Sequence, residues 1–220
     1  VLSGYSDIIV MRHPENGSVK KFADASRVPV INAGDGYNEH PSQALLDLYT
    51  IQKELLQNNK SLDNSRIALV GDLKYGRAVH SLCKILSKYE KVKMNLISPE
   101  ELKLPNDILN EIKESGVSVN QMENLEDGIS EVDIIYVTRV QEERFQDKND
   151  ANKYRGLLSL NQSIYTANCE PNTVIMHPLP RDSRSDANEL DKDLYENPNL
   201  AIFRQADNGV VIRMAMFALV

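Results

Sequence analysis

The sequence predicts an α/β protein: two domains, each a parallel sheet flanked by helices, with the first domain incomplete. Three observations predict it. Short, continuous apolar runs such as 7–11 (DIIVM), 66–70 (RIALV) and 133–138 (DIIYVT) read as strands buried on both faces. Segments with apolar residues at helical spacing separate them, so strands and helices alternate as parallel crossovers require. Residues able to do chemistry recur just after the strands, on the edge where open α/β sheets bind ligands.

The totals agree with a globular chain. Its 220 residues are enough for one large domain or two small ones. Hydrophobic residues make up 41% and charged residues 26%, an ordinary balance. The net charge is −7 and no Lys/Arg cluster appears, which argues against a nucleic-acid partner. No run approaches the roughly eighteen apolar residues of a membrane span. Cys83 and Cys169 lie far apart without metal-like spacing, so they are expected as reduced thiols of a cytoplasmic protein. Residues 1–5 read as the tail of a helix, and the chain ends while still apolar. It is therefore expected to begin and end inside structural elements.

The first unit runs to about residue 60. Residues 7–11 form its first strand, with Arg12-His13-Pro14 at the strand's end; residues before proline favour extended backbone. A short helix and turn occupy 15–27, and 28–31 (VPVI) is the next strand. Asn32, Gly34, Asp35, Gly36 and Asn38 then favour turns and left-handed backbone. His40-Pro41-Ser42-Gln43 opens a helix whose apolar residues are Ala44, Leu45, Leu48, Ile51, Leu55 and Leu56. Pro41 suits the first helical position. His40 and Gln43, three apart, can both sit over the open helix N-terminus, where free amides favour an anionic or polar carbonyl ligand.

The polar stretch 58–64 (NNKSLDN) is the domain boundary. A second unit, 61–206, follows. Its strands are expected at 66–72, 92–97, 117–119, 133–138, 173–176 and 201–203. Its helices are expected around Val79–Tyr89, at 108–115 and, as a short helix, at 125–129, with Gly116 as a C-cap. The densely charged stretch 142–155 reads as a solvated face, and 181–199 as irregular. Asp207-Asn208-Gly209 reads as a turn into a last helix that returns to the first domain over 207–220.

Five clusters follow strands: Arg12-His13, His40, Arg77, Arg139 with Gln141, and His177–Arg181. They are rich in Arg, Gln and His and contain no nucleophile motif such as G-x-S-x-G. No His/Asp/Glu pair has metal-ligand spacing in a helix, so neither metal nor cofactor is expected. Gly71 and Gly76 do not fit G-x-G-x-x-G, which argues against a nicotinamide site. Arginines pair with carboxylates and phosphates by charge-assisted hydrogen bonds. Several of them without a nucleophile point to anionic substrates held in place while a developing oxyanion is stabilised.

The motifs M-R-H-P (11–14), N-A-G-D-G-x-N-x-H-P-x-Q (32–43), L-L-D-L-x-T (45–50), G-D-L-K-Y-G-R (71–77), V-H-S (79–81), T-R-V-Q-x-E-R (138–144), H-P-L-P-R (177–181) and F-R-Q-A-x-N-G (203–209) resemble the aspartate carbamoyltransferase family along the whole chain. The resemblance implies a carbamoyltransferase-like fold. The implied reaction passes the carbamoyl group of carbamoyl phosphate to L-aspartate in pyrimidine biosynthesis. Arg12, His40 and Gln43 match residues that hold the carbamoyl group, with Arg12 and His40 polarising its carbonyl. The Pro178-Leu179 backbone matches a turn whose carbonyls face the substrate nitrogens, and Arg77, Arg139 and Gln141 match residues that hold the aspartate carboxylates. The aspartate amine is then the nucleophile.

Ornithine carbamoyltransferases usually carry H-C-L-P where this chain has 177–180 as H-P-L-P, and they lack the paired arginines, so aspartate is favoured. The family is built on trimers with shared active sites. Its S-T-R-T-R phosphate motif, and a loop whose serine and lysine reach a neighbouring subunit's site, lie upstream of the matched residues. The 220 residues alone are accordingly expected to be inactive; a chain kept as a non-catalytic assembly partner is the other possibility. Residues 182–190 depart from the commonest family sequence.

Overall fold

In the computed structural model, which describes residues 1–220 apart from the side chain of Lys148, the strands form two parallel sheets. Strands β1 (Ile9–His13) and β2 (Val30–Asp35) pair through the crossover helix α1 (Ser18–Asp24). Helix α2 (Pro41–Gln57) follows. The larger sheet has the order β5-β4-β3-β6-β7, from β3 (Arg66–Gly71), β4 (Lys93–Ile97), β5 (Ser118–Met122), β6 (Ile134–Thr138) and β7 (Val174–Met176). Helices α3 (Arg77–Leu86), α4 (Asn106–Glu114), α5 (Leu125–Ile129), α6 (Lys148–Asn152), α7 (Gln162–Asn168) and α8 (Ile202–Ala218) complete the chain.

Strand β3 explains the architecture. Its alternate residues feed two cores: Ile67 and Leu69 pack with Leu82, Met94, Ile134 and Tyr136, whereas Ala68 and Val70 pack with Ile97, Ile129, Ile135 and Ile175. The two-residue period of a strand puts these sets on opposite faces. Burying each large aliphatic contributes roughly 1.5–3 kcal/mol. Ile51 and Leu55 of α2 belong to the first of these cores, so α2 joins the small sheet's crossover to the large sheet. From β3 the chain builds outward through β4 and β5, then returns to β6 on the other side. The crevice between the ends of β3 and β6 is a topological switch point, where open α/β sheets bind ligands.

Gly71 is required there. Its φ is +116°, and a Cβ would lie 2.1 Å from the carbonyl oxygen of Thr138 at the end of β6.

Several expectations from sequence are corrected. Residues 201–203 are not a strand: only Leu200 bridges to Ile175, and α8 already begins at Ile202. Nor do Asp207-Asn208-Gly209 turn; α8 passes straight through them, so the last helix is Ile202–Ala218 rather than 207–220. Packing overrides their turn propensity. Asn208 is buried and donates from Nδ2 to Thr50 Oγ1 of α2 at 3.0 Å, and Gly209 lies against Leu46.

The charged stretch 142–155 is not simply solvated either. Arg155 and Arg184 clamp Glu142 at 2.6–2.9 Å and hold its carboxyl down to about 2. Ala151 and Tyr154 are buried beneath it. Strand β1 extends to His13, which places Arg12 inside the strand rather than after it, and β2 continues to Asp35. Leu56 is exposed rather than in the core.

Candidate active site

The cleft at the switch point is about 170 Å³ and is lined by the eight residues given substrate-binding roles from the sequence, Arg12, His40, Gln43, Arg77, Arg139, Gln141, Pro178 and Leu179; His13 and Arg181 of the same clusters lie outside it, His13 accepting from the amide of Glu15 and Arg181 donating to the carbonyl of Leu190. The eight come from both sheets and from segments up to 167 residues apart in number, as parallel topology allows (12 to 179). Tyr75, Thr138, Glu143, Arg144 and His177 also line it.

The loop between β2 and α2 is anchored first. Asp35 is buried and accepts from the amide of Gly17 at 2.9 Å, that of Val19 at 3.5 Å and Asn38 Nδ2 at 3.0 Å. Burial raises its carboxyl, but these donors outweigh that and hold it below the ordinary range. Gly36 then offers its carbonyl across the cleft to Arg77 Nη1 at 2.9 Å and to Arg144 Nη2 at 3.0 Å. The loops of the second sheet are anchored by Asp72, which accepts from the amides of Tyr75 at 2.9 Å and Gln141 at 3.0 Å. One buried carboxylate thereby fixes the segments that present Arg77 and Gln141, at the cost of a carboxyl raised by burial.

His40 is the N-cap residue of α2, with Pro41 in the first turn. Its amide donates to Ser81 Oγ at 2.9 Å, and its Nδ1 lies 3.3 Å from Ser42 Oγ. Burial, reinforced by Arg77, Arg12 and Arg213, pushes the imidazole down to about 4, so the ring is neutral at pH 7. Arg77 is lowered to about 10, by burial and then by Arg12 and Arg144, and stays charged.

Gln43 points its amide nitrogen inward, donating to Asp47 Oδ1 at 3.0 Å. Asp47 is fully buried and also accepts from Tyr136 Oη at 2.7 Å and Gln205 Nε2 at 2.6 Å. Burial pushes its carboxyl up to about 6 in spite of the three donors. Gln205 in turn accepts from the amide of His177 at 2.9 Å. His177 Nδ1 accepts from the amide of Leu179 at 2.9 Å, and Leu179 sits at φ +54°, an uncommon backbone region for leucine.

These contacts divide the cleft by polarity. Pro178 and Pro180 have no N–H, and that of Leu179 is taken. The 178–180 lip and Gln43 Oε1 therefore present acceptors only. Arg12, Arg77 and Arg139, which can only donate, line the same cleft. A ligand that fits carries N–H groups for these acceptors and negative oxygens for the guanidiniums.

Sequence reasoning did not single out Glu143, Arg144, Asp47, Gln205 or Arg213 as site residues. Glu143 and Arg144 fall in the quoted T-R-V-Q-x-E-R motif, which was the available signal. Asp47 and Gln205 fall in L-L-D-L-x-T and F-R-Q-A-x-N-G, but nothing local marks Asp47 as a buried hub, since its partners Tyr136 and Gln205 lie 89 and 158 residues away. Among the described residues no group of three or more His, Cys, Asp or Glu side chains could hold a metal ion, and no helix is long and apolar enough to cross a membrane.

Residues 63–220 match the Asp/Orn binding domain of aspartate/ornithine carbamoyltransferase, and residues 1–53 match the carbamoyl-P binding domain of the same family. An aspartate carbamoyltransferase catalytic subunit of Cellvibrio japonicus is 62% identical over 100% of this chain and 65% of its own length. That of Methanocaldococcus jannaschii is 44% identical over 98% of this chain and 67% of its own. The crystal structure of aspartate transcarbamoylase from Trypanosoma cruzi, in complex with aspartate and phosphate, superposes with a TM-score of 0.85 at 36% identity, covering 98% of this chain and 65% of that one. The chain spans about 65% of the length of the first of these relatives.

Proposed function

The chain belongs to the aspartate/ornithine carbamoyltransferase family, and from that premise we propose that its cleft takes part in carbamoyl transfer from carbamoyl phosphate to L-aspartate, a step of pyrimidine biosynthesis. The observation that carries the reading is the division of polarity. The amide nitrogen of a carbamoyl group suits the acceptor-rich corner of Gln43, Pro178 and Leu179, and its carbonyl oxygen suits Arg12 and His40. In the tautomer whose Nδ1 accepts from the Ser42 hydroxyl, His40 has Nε2–H to donate. A neutral donor beside Arg12 stabilises the oxyanion as the aspartate amine attacks the carbonyl carbon, and phosphate leaves. Arg77, Arg139 and Gln141 hold the two carboxylates of aspartate. Ornithine, with a cationic side chain, would meet these arginines as a like charge.

The names of the relatives support aspartate over ornithine. A Trypanosoma cruzi structure in complex with N-(phosphonacetyl)-L-aspartic acid, a molecule joining the features of both substrates, supports a shared site of this kind. The same reading divides the chain into a carbamoyl-phosphate unit, 1–60 with the returning C-terminal helix, and an aspartate unit, 61–206. It implies a cytoplasmic homotrimer with shared sites.

The test is a titration of the 220-residue protein with 13C-carbamoyl phosphate, following the carbamoyl carbon by NMR. Saturable shift and broadening that Gln43→Ala weakens about tenfold supports the reading. Binding equally strong in Gln43→Ala, or no binding, removes it.

A further inference from the structure

We infer that Asp47 is a positioning residue: its buried carboxylate sets the polarity of two carboxamides and so makes the carbamoyl corner of the cleft rich in acceptors. The inference rests on the carbamoyl-transfer reading given above and deepens it.

A carboxylate accepts and does not donate. Asp47 Oδ1 receives the amide nitrogens of both Gln43, at 3.0 Å, and Gln205, at 2.6 Å, while Oδ2 receives Tyr136 Oη at 2.7 Å. Each carboxamide that gives its nitrogen to Asp47 must turn its oxygen away. Gln43, which lines the cleft, keeps Oε1 without a donor among the described residues, and one N–H beyond the one given to Asp47. Gln205 offers Oε1 to the amide of His177, at 2.9 Å. That contact fixes the start of the 177–180 turn, whose remaining polar groups are carbonyls. Asp47 is fully buried and Gln205 nearly so, which leaves neither side chain free to exchange these bonds with water. Three elements, α2, β6 and α8, are thus polarised by one group that never meets the ligand.

The consequence is chemical selectivity. A corner rich in acceptors favours an –NH₂ group over a methyl group of the same size. Carbamoyl phosphate and acetyl phosphate differ in that one substitution. Asp47→Asn could keep its oxygen toward both carboxamides and give its N–H₂ to the Tyr136 hydroxyl, so the telling variant is Asp47→Leu, which removes both acceptors and leaves the two carboxamide nitrogens without their buried partner.

The experiment compares binding of carbamoyl phosphate and acetyl phosphate to the protein and to Asp47→Leu, with the side-chain amide signals of Gln43 and Gln205 followed by 15N NMR. Thr50→Val is the control, because Thr50 lies on the same α2–α8 seam and its loss removes only a buried hydrogen bond from Asn208. The expected result is a preference for carbamoyl phosphate that falls about ten- to a hundredfold in Asp47→Leu, the range of roughly 1.5–3 kcal/mol for a hydrogen bond to a charged group, and survives in Thr50→Val. Both glutamine signals should move in Asp47→Leu, whether or not ligand is present. A folded Asp47→Leu protein that keeps the preference, or keeps the Gln43 signal in place, overturns the positioning role. Equal binding of the two phosphates by the unsubstituted protein, or binding of neither, overturns the carbamoyl reading and the inference with it.

Discussion

Glu143 grips Arg139 end-on, with Arg139 Nη2 donating to Oε1 at 2.7 Å and Nη1 donating to Oε2 at 3.1 Å. Nη1 gives its other hydrogen to the carbonyl of Val140 at 3.0 Å. What remains unpaired among the described residues is the Nε–Nη2 edge, the second side on which a guanidinium can hold a carboxylate with two parallel bonds. Glu143 therefore orients Arg139 without occupying the edge that a substrate carboxylate needs.

Glu143→Ala should raise the aspartate concentration needed for half-saturation about tenfold, because the freed guanidinium must be ordered on each binding event. The fold should barely notice: the pair is half-exposed, and such pairs contribute less than about 1 kcal/mol. Aspartate titrations and thermal melts of the same variant separate the two effects.

Stability as a function of pH should reveal two opposing groups. His40 titrates near 4 in the folded protein against an ordinary 6.5, so between those values the unfolded chain binds more protons and stability drops as pH falls. Asp47 titrates near 6 against an ordinary 3.8, so over that window the folded chain binds more protons and stability drops as pH rises. Relative to the unsubstituted protein, Asp47→Asn should gain stability, and His40→Gln should lose it, on going from about pH 4.5 to about pH 6. Over that span the gain for the fully buried Asp47 is on the order of 1.5 kcal/mol. Urea midpoints at the two pH values give the signs.

Gly71→Ala should be among the most damaging small substitutions in the chain. It asks alanine to adopt φ +116° with its methyl 2.1 Å from a backbone oxygen of the neighbouring strand. A loss of several kcal/mol is expected, enough to leave the domain largely unfolded, and circular dichroism would register it.

The 220 residues alone should form no detectable carbamoyl-aspartate. The family's phosphate-gripping arginines lie outside the matched motifs, and each lost donor of this kind costs about 10²–10³ in rate. Product formation that disappears in Arg139→Ala would refute this.

Much of this was legible because the chemistry follows the strands. Arg77, Arg139 and His177 come just after continuous apolar runs, so the sheet edge could be drawn before the fold was known. His40 and Gln43 were legible from a helix start. The rest depended on distant partners. In L-L-D-L, Asp47 looks like any polar position on a helix; Tyr136 and Gln205 make it a buried hub. Asp207-Asn208-Gly209 has the composition of a turn, yet Thr50 and Leu46 of α2 receive it as helix. Glu142 and Arg155 looked like solvated charges until Arg184, 42 residues away from Glu142, closed the cluster.

The most direct measurement is an NMR titration of the Arg139 Nε–H and Gln141 side-chain signals with L-aspartate and, separately, L-ornithine, in saturating carbamoyl phosphate. Saturable shifts with aspartate alone, abolished for the remaining Gln141 probe in Arg139→Ala, are expected. Shifts with ornithine instead, or aspartate binding untouched by Arg139→Ala, would contradict the assignment of this cleft to aspartate carbamoylation.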